Sequence, residues 1–452
     1  MVGCVQTPPA STDFVFSINE DLVNGTNAME IIEELTSEAY SGRLTGTEGN
    51  EMAVQYIENY FEEIGLESPS GLEGYRQAYK QKVLINKSKP VIGVTDEEGN
   101  IIKEFDFLLD YRIITSQEEV KIQGETTAEM IIIEKAEEIN DENDALAGKI
   151  LLVTNDTIIN NSNGPFDILE RVSELNSKIA GIIIHLDNRK EGYYIVSTTL
   201  GDISANYNEA YNNENGPIMA YFSDEAFEEL TQAALEGRSL HMKVDYSYTD
   251  DIMNNVVGVI SGRDEENEGY IIVGAHLDHV GDNQDGTYNP GALDNASGTA
   301  ALMEIARILK SSGIAPKKTI IFIAFNGEEQ FLYGSRYYAN NPLYPLENAT
   351  VINMDMVGSN GNSPLYIAGL SYNLNMDLTV VAKELGINAV AETVSVGSDQ
   401  MPFNDLGIEA ATIIHPDMNR IHTPLDTIDN IDEDRLKDVI MLVLSYIVKN
   451  AY

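Results

Sequence analysis

The sequence predicts an α/β fold: a mixed, mostly parallel sheet flanked by helices, with a second, β-rich unit inserted into it. Three observations carry this expectation. From about residue 254 onward, short apolar runs alternate with stretches of helical spacing, the pattern of a sheet covered by helices on both faces. Between about 87 and 243 that alternation gives way to short β-rich runs divided by turn clusters. The chain has 452 residues, more than one ordinary domain holds, so two or three folding units are expected.

In the C-terminal part, strands are expected at Val256–Ile260, Tyr270–Gly274, Thr319–Phe325, Thr350–Asn353 and Ala411–Ile414. Helices are expected at Gly298–Lys310, Ser335–Ala339, Asn373–Leu385 and Asp432–Lys449. Ligands of such sheets collect at the C-terminal ends of the strands. Near the N-terminus, Met29, Ile32 and Leu35 mark a helix over Asn27–Tyr40. Ala53, Ile57, Tyr60, Phe61 and Ile64 share one face of a second helix, Asn50–Ile64, with Gly65 as its stop. Between them, Ser41–Asn50 contains Gly42, Gly46 and Gly49 and reads as a structured turn, either a plain connection or a segment beside a site.

In the middle of the chain, β runs are expected at Val91–Val94, Met130–Ile133, Lys149–Val153 and Ala180–His185. A turn cluster follows at Asn160–Pro165 and a helix at Asp167–Lys178. No nucleophile–base pair or metal cluster is visible there; His185 and His241 read as structural or surface residues. The expected organisation is a tether over 1–18, one unit from 19–86 and 244–452, and the insert at 87–243.

The net charge of −45 repels phosphate backbones, so nucleic acid is excluded as a partner. No apolar run of about 18 residues is present, so no transmembrane helix is expected. Cys4 is the single cysteine, which rules out an intrachain disulfide. Val2-Gly3-Cys4 and the polar stretch after it resemble the end of a bacterial lipoprotein signal. The expectation is an extracellular or cell-surface protein, tethered to a membrane through a lipidated Cys4. If Met1 is the native start, the protein is cytosolic.

Five clusters carry chemistry. His276 and Asp278 follow the Tyr270–Gly274 strand, and His-x-Asp spacing lets the aspartate orient the ligand imidazole. Asp294 lies among small residues ahead of a helix for which Asn295 and Ser297 are the natural caps. Glu328 and Glu329 close the Thr319–Phe325 strand, and paired glutamates there raise each other's pKa unless a cation compensates them. Asp355 sits between two methionines after a β run, and His422 lies in a Pro-containing loop before the last helix. Singly these have plain alternatives: a surface His–Asp pair, a helix cap, a solvated acidic turn. Together they give two histidines, three carboxylate ligands and one free glutamate, a donor set in which imidazole favours zinc. Two dications would balance Asp294, Glu329, Asp355 and a hydroxide. His279 and His415 remain unused and read as structural or peripheral.

These clusters resemble those of the co-catalytic di-zinc aminopeptidase family, whose relatives include glutamate carboxypeptidase, the transferrin receptor ectodomain and glutaminyl cyclase. The matching strings are Gly274–Asp278, Leu293–Gly298, Gly327–Glu329, Asn353–Met356 and His422–Thr427, in the family's order. Gly42-Arg43, Gly46, Gly49-Asn50, Gly65-Leu66 and Leu332–Ser335 look familial as well. The resemblance implies two zinc ions bridged by Asp294, with His276 and Asp355 completing one site and Glu329 and His422 the other. It implies Glu328 as general base and later acid, Asp278 as partner of His276, and a cis peptide at Asp294–Asn295. Peptides with free N-termini are the implied substrates. The insert resembles a protease-associated domain, on Gly148–Val153 and Lys178–Ile184. Two positions depart from the family: Ile421 stands where some relatives place a tyrosine that stabilises the oxyanion, and Gln400 stands where relatives often have histidine. A carboxypeptidase, a glutaminyl cyclase and an inactive binding protein are the competing readings. Arginines near the motifs are few for a carboxylate pocket (Arg307, Arg336 and Arg420), and no tryptophan is present for a cyclase pocket.

Overall fold

The structure is a computed structural model. It describes residues 23, 25–107, 110–115, 121–159, 168, 170–172, 174–175, 179–185, 214–263, 269–418 and 420–452. The expected tether with Cys4, the Asn160–Pro165 turn and half of the Asp167–Lys178 helix lie outside the described residues.

The centre of the C-terminal sheet is built from β10 (Tyr270–His276), β11 (Thr319–Phe325), β12 (Ala349–Met354) and β15 (Glu409–Ile414). All pair in parallel, in the order β11-β10-β12-β15. Their residues are apolar without a break because both faces are covered. In β11, Ile320, Phe322 and Ala324 enter one core, and Ile321, Ile323 and Phe325 enter the core on the opposite face. The first core is capped by helices Thr26–Leu35, Glu48–Glu63, Ser297–Ser311, Tyr372–Glu384 and Glu433–Ala451. Antiparallel β13 (Leu365–Ala368) joins β15, and β14 (Ala389–Glu392) extends that edge. The fold is therefore mixed and mostly parallel, as the sequence predicts.

The first helix is shorter than its apolar spacing predicts. It ends at Leu35, and the chain makes a 3₁₀ turn over Glu38–Arg43 in which Ser41, Gly42 and Arg43 have φ of 46°, 71° and 49°. Gly42 is required there, because a Cβ would lie 2.6 Å from the Asn289 carbonyl oxygen and 2.7 Å from that of Gly281.

A second core of buried residues runs from Leu84 to Tyr246. It is framed by β2 (Val91–Thr95), β3 (Ile101–Glu104), β4 (Tyr111–Ile114), β5 (Gln123–Ile133), β6 (Ile150–Val153), β7 (Gly181–His185) and β8 (Ile218–Phe222). The strands β5 to β8 pair in parallel, β4 lies antiparallel on β8, and helix Asp224–Leu235 covers this sheet. One strand joins the two cores. β9 (Ser239–Ile260) pairs with β2 and β5 at its start, with β1 (Arg76–Asn86) in its middle, and with β11 at its end. Among the described residues no helix is long and apolar enough to cross a membrane.

Candidate metal centre

Four strand ends converge on the site. His276 is the last residue of β10, Glu328 and Glu329 follow β11, and Asp355 follows β12. Asp294 comes from the loop before helix Ser297–Ser311, and His422 from the loop after β15. All six predicted residues come together in two groups whose donor atoms lie within 4.8 Å of one another: His279, Asp294, Glu329 and His422, and His276, Glu328 and Asp355.

Asp294 links the groups. Its Oδ1 is 3.4 Å from His276 Nε2, and its Oδ2 is 2.8 Å from His422 Nε2. His276 Nε2 is also 3.3 Å from Asp355 Oδ1, and His422 Nε2 is 3.1 Å from Glu329 Oε2. The Asp294–Asn295 peptide is cis. Asn295 Oδ1 accepts from the Gly298 and Met356 amides, and its Nδ2 donates to the Met354 carbonyl, tying the Asp294 loop to the end of β12. Ser398 donates to Asp355 Oδ2 at 2.6 Å.

Asp278 acts differently from a simple partner of His276. The His276 Nδ1 lies 3.2 Å from the Asp278 main-chain carbonyl and 3.8 Å from its carboxylate. The carboxylate instead accepts the amides of Glu328 and Glu329, at 3.1 and 3.2 Å, and the Thr45 hydroxyl at 3.2 Å. It holds the glutamate turn, because that turn's N–H groups point back at the end of β10.

The Ser41–Asn50 turn lies beside the site. Arg43 is fully buried, and its guanidinium donates to the carbonyls of Leu277, Leu35, Pro290 and Gly291 at 2.7–2.9 Å. It thereby clamps the His276 and Asp294 loops to each other. Burial pulls its pKa down to about 10, against the pull of Asp426, Asp294, Asp278 and Glu329. Asn50 and Asn326 exchange two amide hydrogen bonds of 2.9 Å, anchoring the start of the glutamate turn.

The charges are poised for cations. Burial opposes ionisation of His276, yet Asp355, Glu328 and Asp294 outweigh it and raise its pKa well above the ordinary value. Burial likewise opposes His422, but Glu329 and Asp294 raise it to about 10. Glu328 is raised well above the usual carboxylate range by burial, with Glu329, Asp355 and Asp399 adding to it. Asp399, also buried, is pushed up to about 7. The Nε2 of His279 and the Nδ1 of His422 are buried without hydrogen-bond partners. Imidazole and carboxylate donors in two linked groups, with excess negative charge, fit two divalent ions and suit zinc.

Sequence reasoning missed His279 and underused Asp426 and Ser398. His279 Nδ1 lies 2.8 Å from Glu329 Oε1, so it stands in the first group rather than at the periphery. Its signal was the three-residue spacing from His276, which places both rings on one loop. His415 lies apart from both groups: its Nδ1 accepts the Gly358 amide, and burial drives its pKa down to about 3.

The comparisons agree with this geometry. The model of peptidase family M28 matches residues 255–447, the stretch that carries all six residues. The unit built on residues 255–447 belongs to peptidase family M28. Over 204 residues the chain is 32% identical to aminopeptidase YwaD of Bacillus subtilis, covering 42% of this chain and 43% of that protein. Over 142 residues it is 34% identical to leupeptin-inactivating enzyme 1 of Streptomyces exfoliatus, covering 30% of this chain and 31% of that one. The aligned stretch thus spans less than half the length of either relative. The solved structure of an aminopeptidase from Aneurinibacillus sp. strain AM-1 superposes with a TM-score of 0.67 at 21% identity, over 96% of this chain and 95% of that one. That of a zinc aminopeptidase from Bacillus subtilis gives 0.67 at 23% identity, over 95% and 96%. At these identities the likeness establishes the fold.

Proposed function

We propose that this M28 protein is a zinc aminopeptidase that hydrolyses the N-terminal peptide bond of peptides. The observation that carries the reading is Asp294, a buried carboxylate shared between two His–carboxylate groups, with Glu328 beside the second of them. In this reading His276 and Asp355 would hold one zinc ion, Glu329 and His422 the other, and Asp294 would be shared between them. Bound zinc supplies Lewis acidity, which polarises a peptide carbonyl and acidifies water.

The chain's own groups do the rest. Glu328 has the raised pKa of a carboxyl that can take a proton from water and return it to the leaving amine. Asp278 fixes the Glu328 amide and so the backbone from which the base projects. Arg43 keeps the His276 and Asp294 loops at a fixed separation. The acidic surroundings attract a free α-ammonium group.

Of the three arginines near the motifs, Arg307 pairs with Glu304, Arg336 donates to the Phe331 carbonyl, and Arg420 donates to Asn430. We read the unit with the Leu84–Tyr246 core as a protease-associated insert, and the segment ahead of residue 19 as a tether lipidated at Cys4 that holds the protein at the cell surface. Incorporation of a labelled fatty acid into the native protein, abolished by Cys4→Ala, would test the tether.

The aminopeptidase reading is tested with a panel of aminoacyl chromogenic amides, with and without a chelator. Release that the chelator stops and zinc restores is the expected result. No release from any free-amine substrate, in protein carrying two zinc ions per chain, would refute it and favour the carboxypeptidase, cyclase or binding readings.

A further inference from the structure

Among the described residues, one side chain of the inserted unit hydrogen-bonds to the metal centre. Arg112, in β4, places Nη1 3.5 Å from the main-chain carbonyl oxygen of His422, a metal-group residue. Directly across the strand pair stands Tyr221 of β8. Residues opposite one another in an antiparallel pair share a face, so the phenol and the guanidinium look the same way, toward the His422 loop.

Both are sunk in the protein, and both retain some exposure. Burial pulls Arg112 down to about 10 and pushes Tyr221 up to about 12. Among the described residues, Arg112 forms no ion pair, and that long contact with the His422 carbonyl is its one side-chain hydrogen bond. No side-chain hydrogen bond of Tyr221 is formed with another described residue, and the residue is only partly buried.

This is unusual in a chain with 73 acidic residues. The other arginine of the site, Arg43, satisfies its whole fork on carbonyls. A guanidinium held in a low-dielectric position without an anion is costly, and an arriving anion would relieve that cost. Its planar fork matches a carboxylate, with the phenol as a further donor.

We propose that Arg112 and Tyr221 form a carboxylate-binding subsite, contributed by the inserted unit, that reads an acidic group on the peptide beside the metal centre. The acidic group is either the α-carboxylate of a dipeptide, on the leaving side, or the side chain of an N-terminal glutamate or aspartate. The inference rests on the aminopeptidase reading and deepens it. It also places the basic residue that sequence reasoning sought among Arg307, Arg336 and Arg420 in the insert instead.

The test compares acid and amide partners of equal shape. Leucyl-glycine against leucyl-glycinamide probes the leaving side, and glutamyl against glutaminyl chromogenic amides probes the side chain. The kcat/KM of each is measured for the zinc-loaded wild type and for Arg112→Ala, Arg112→Lys and Tyr221→Phe, alongside zinc content and Tm. Binding of glycine against glycinamide, and of glutamate against glutamine, is followed by calorimetry. The wild type is expected to favour the acid in one pair, and that pair names the source. Arg112→Ala should reduce the acid-to-amide ratio about tenfold or more, in kcat/KM and in affinity, with Arg112→Lys intermediate and Tyr221→Phe smaller. Ratios within about twofold of wild type in Arg112→Ala, or an equal loss on both members of each pair, would overturn the subsite. If no free-amine substrate is cleaved at all, the aminopeptidase reading fails, and the calorimetric ratios alone decide the subsite.

Discussion

Asp426 holds the backbone of Asp294 from behind: its Oδ1 accepts the Leu293 amide at 2.9 Å and its Oδ2 the Asp294 amide at 3.0 Å. Both carboxylates are buried, so the residue that joins the two metal groups is presented at a fixed orientation by a second aspartate on the His422 loop. Asp426→Ala should therefore release the Asp294 loop. Zinc affinity should fall about 10- to 100-fold, the range for a lost partner behind a ligand. Competition against a chromogenic chelator would read it, and an unchanged affinity would show that Asp426 is not needed to aim Asp294.

Glu328→Gln removes the proton acceptor while keeping shape. Turnover of a neutral aminoacyl amide should drop about 100- to 10,000-fold, with both zinc ions retained by elemental analysis. A variant within a few-fold of wild type would remove Glu328 from the chemistry.

Arg43→Met leaves four buried carbonyls without their donor. A loss of about 3–5 kcal/mol is expected in urea unfolding of the metal-free protein, the cost of breaking a buried charged network. Arg43→Lys should rescue little, because one ammonium cannot span the carbonyls of Leu277, Leu35, Pro290 and Gly291 as a fork does.

Gly298→Ala should also destabilise the centre. A Cβ there would lie 2.3 Å from the Met354 carbonyl oxygen and 2.4 Å from Asn295 Oδ1. Neither neighbour is free to give: Met354 ends β12, and Asn295 Oδ1 is tied to the Gly298 and Met356 amides. A lower Tm and reduced zinc content are expected, and native values for both would count against the tight packing of this loop.

The pH response carried by His422 should be strong without metal and vanish when zinc is bound. Without ions, His422 has its pKa raised from 6.5 to about 10. The folded state then holds a proton that the unfolded state releases, so this contribution is full below about pH 6.5 and is lost as pH rises through about 10. Glu329 is lowered from 4.5 to about 2, so its contribution is present above about pH 4.5 and lost as pH falls through about 2. Zinc must displace the His422 proton, so its affinity rises with pH. Between pH 7 and 9.5, chelator-treated protein should lose Tm while the upward shift produced by zinc grows. A zinc shift independent of pH would contradict the assignment of His422.

Much of the fold was legible because its signals are local. β10, β11, β12 and β15 are apolar runs closed by polar residues, and each was foreseen within three residues at either end. The site followed from them, since chemistry-bearing residues directly after such strands must share one edge of the sheet. The strands β1, β3, β4, β8, β13 and β14 were not foreseen. Gln77 and Gln81 in β1 are polar yet buried, because they meet Asn341 and Gln330, partners more than 240 residues away. The helix Asp224–Leu235 was missed as well, its face being carried by only Ala226, Phe227 and Leu230 as buried positions.

By itself, the sequence determined the α/β class, the strand-end loops and the six residues His276, Asp294, Glu328, Glu329, Asp355 and His422, because periodicity and motif spacing are properties of a few consecutive positions. Only the tertiary structure decided that His279 stands with Glu329, that Arg43 and Asp426 hold the loops from behind, and that Arg112 of β4 meets His422. Those relationships join residues from 50 to 310 positions apart, and contacts at such separation arise from how sheets and helices pack, which no local pattern encodes.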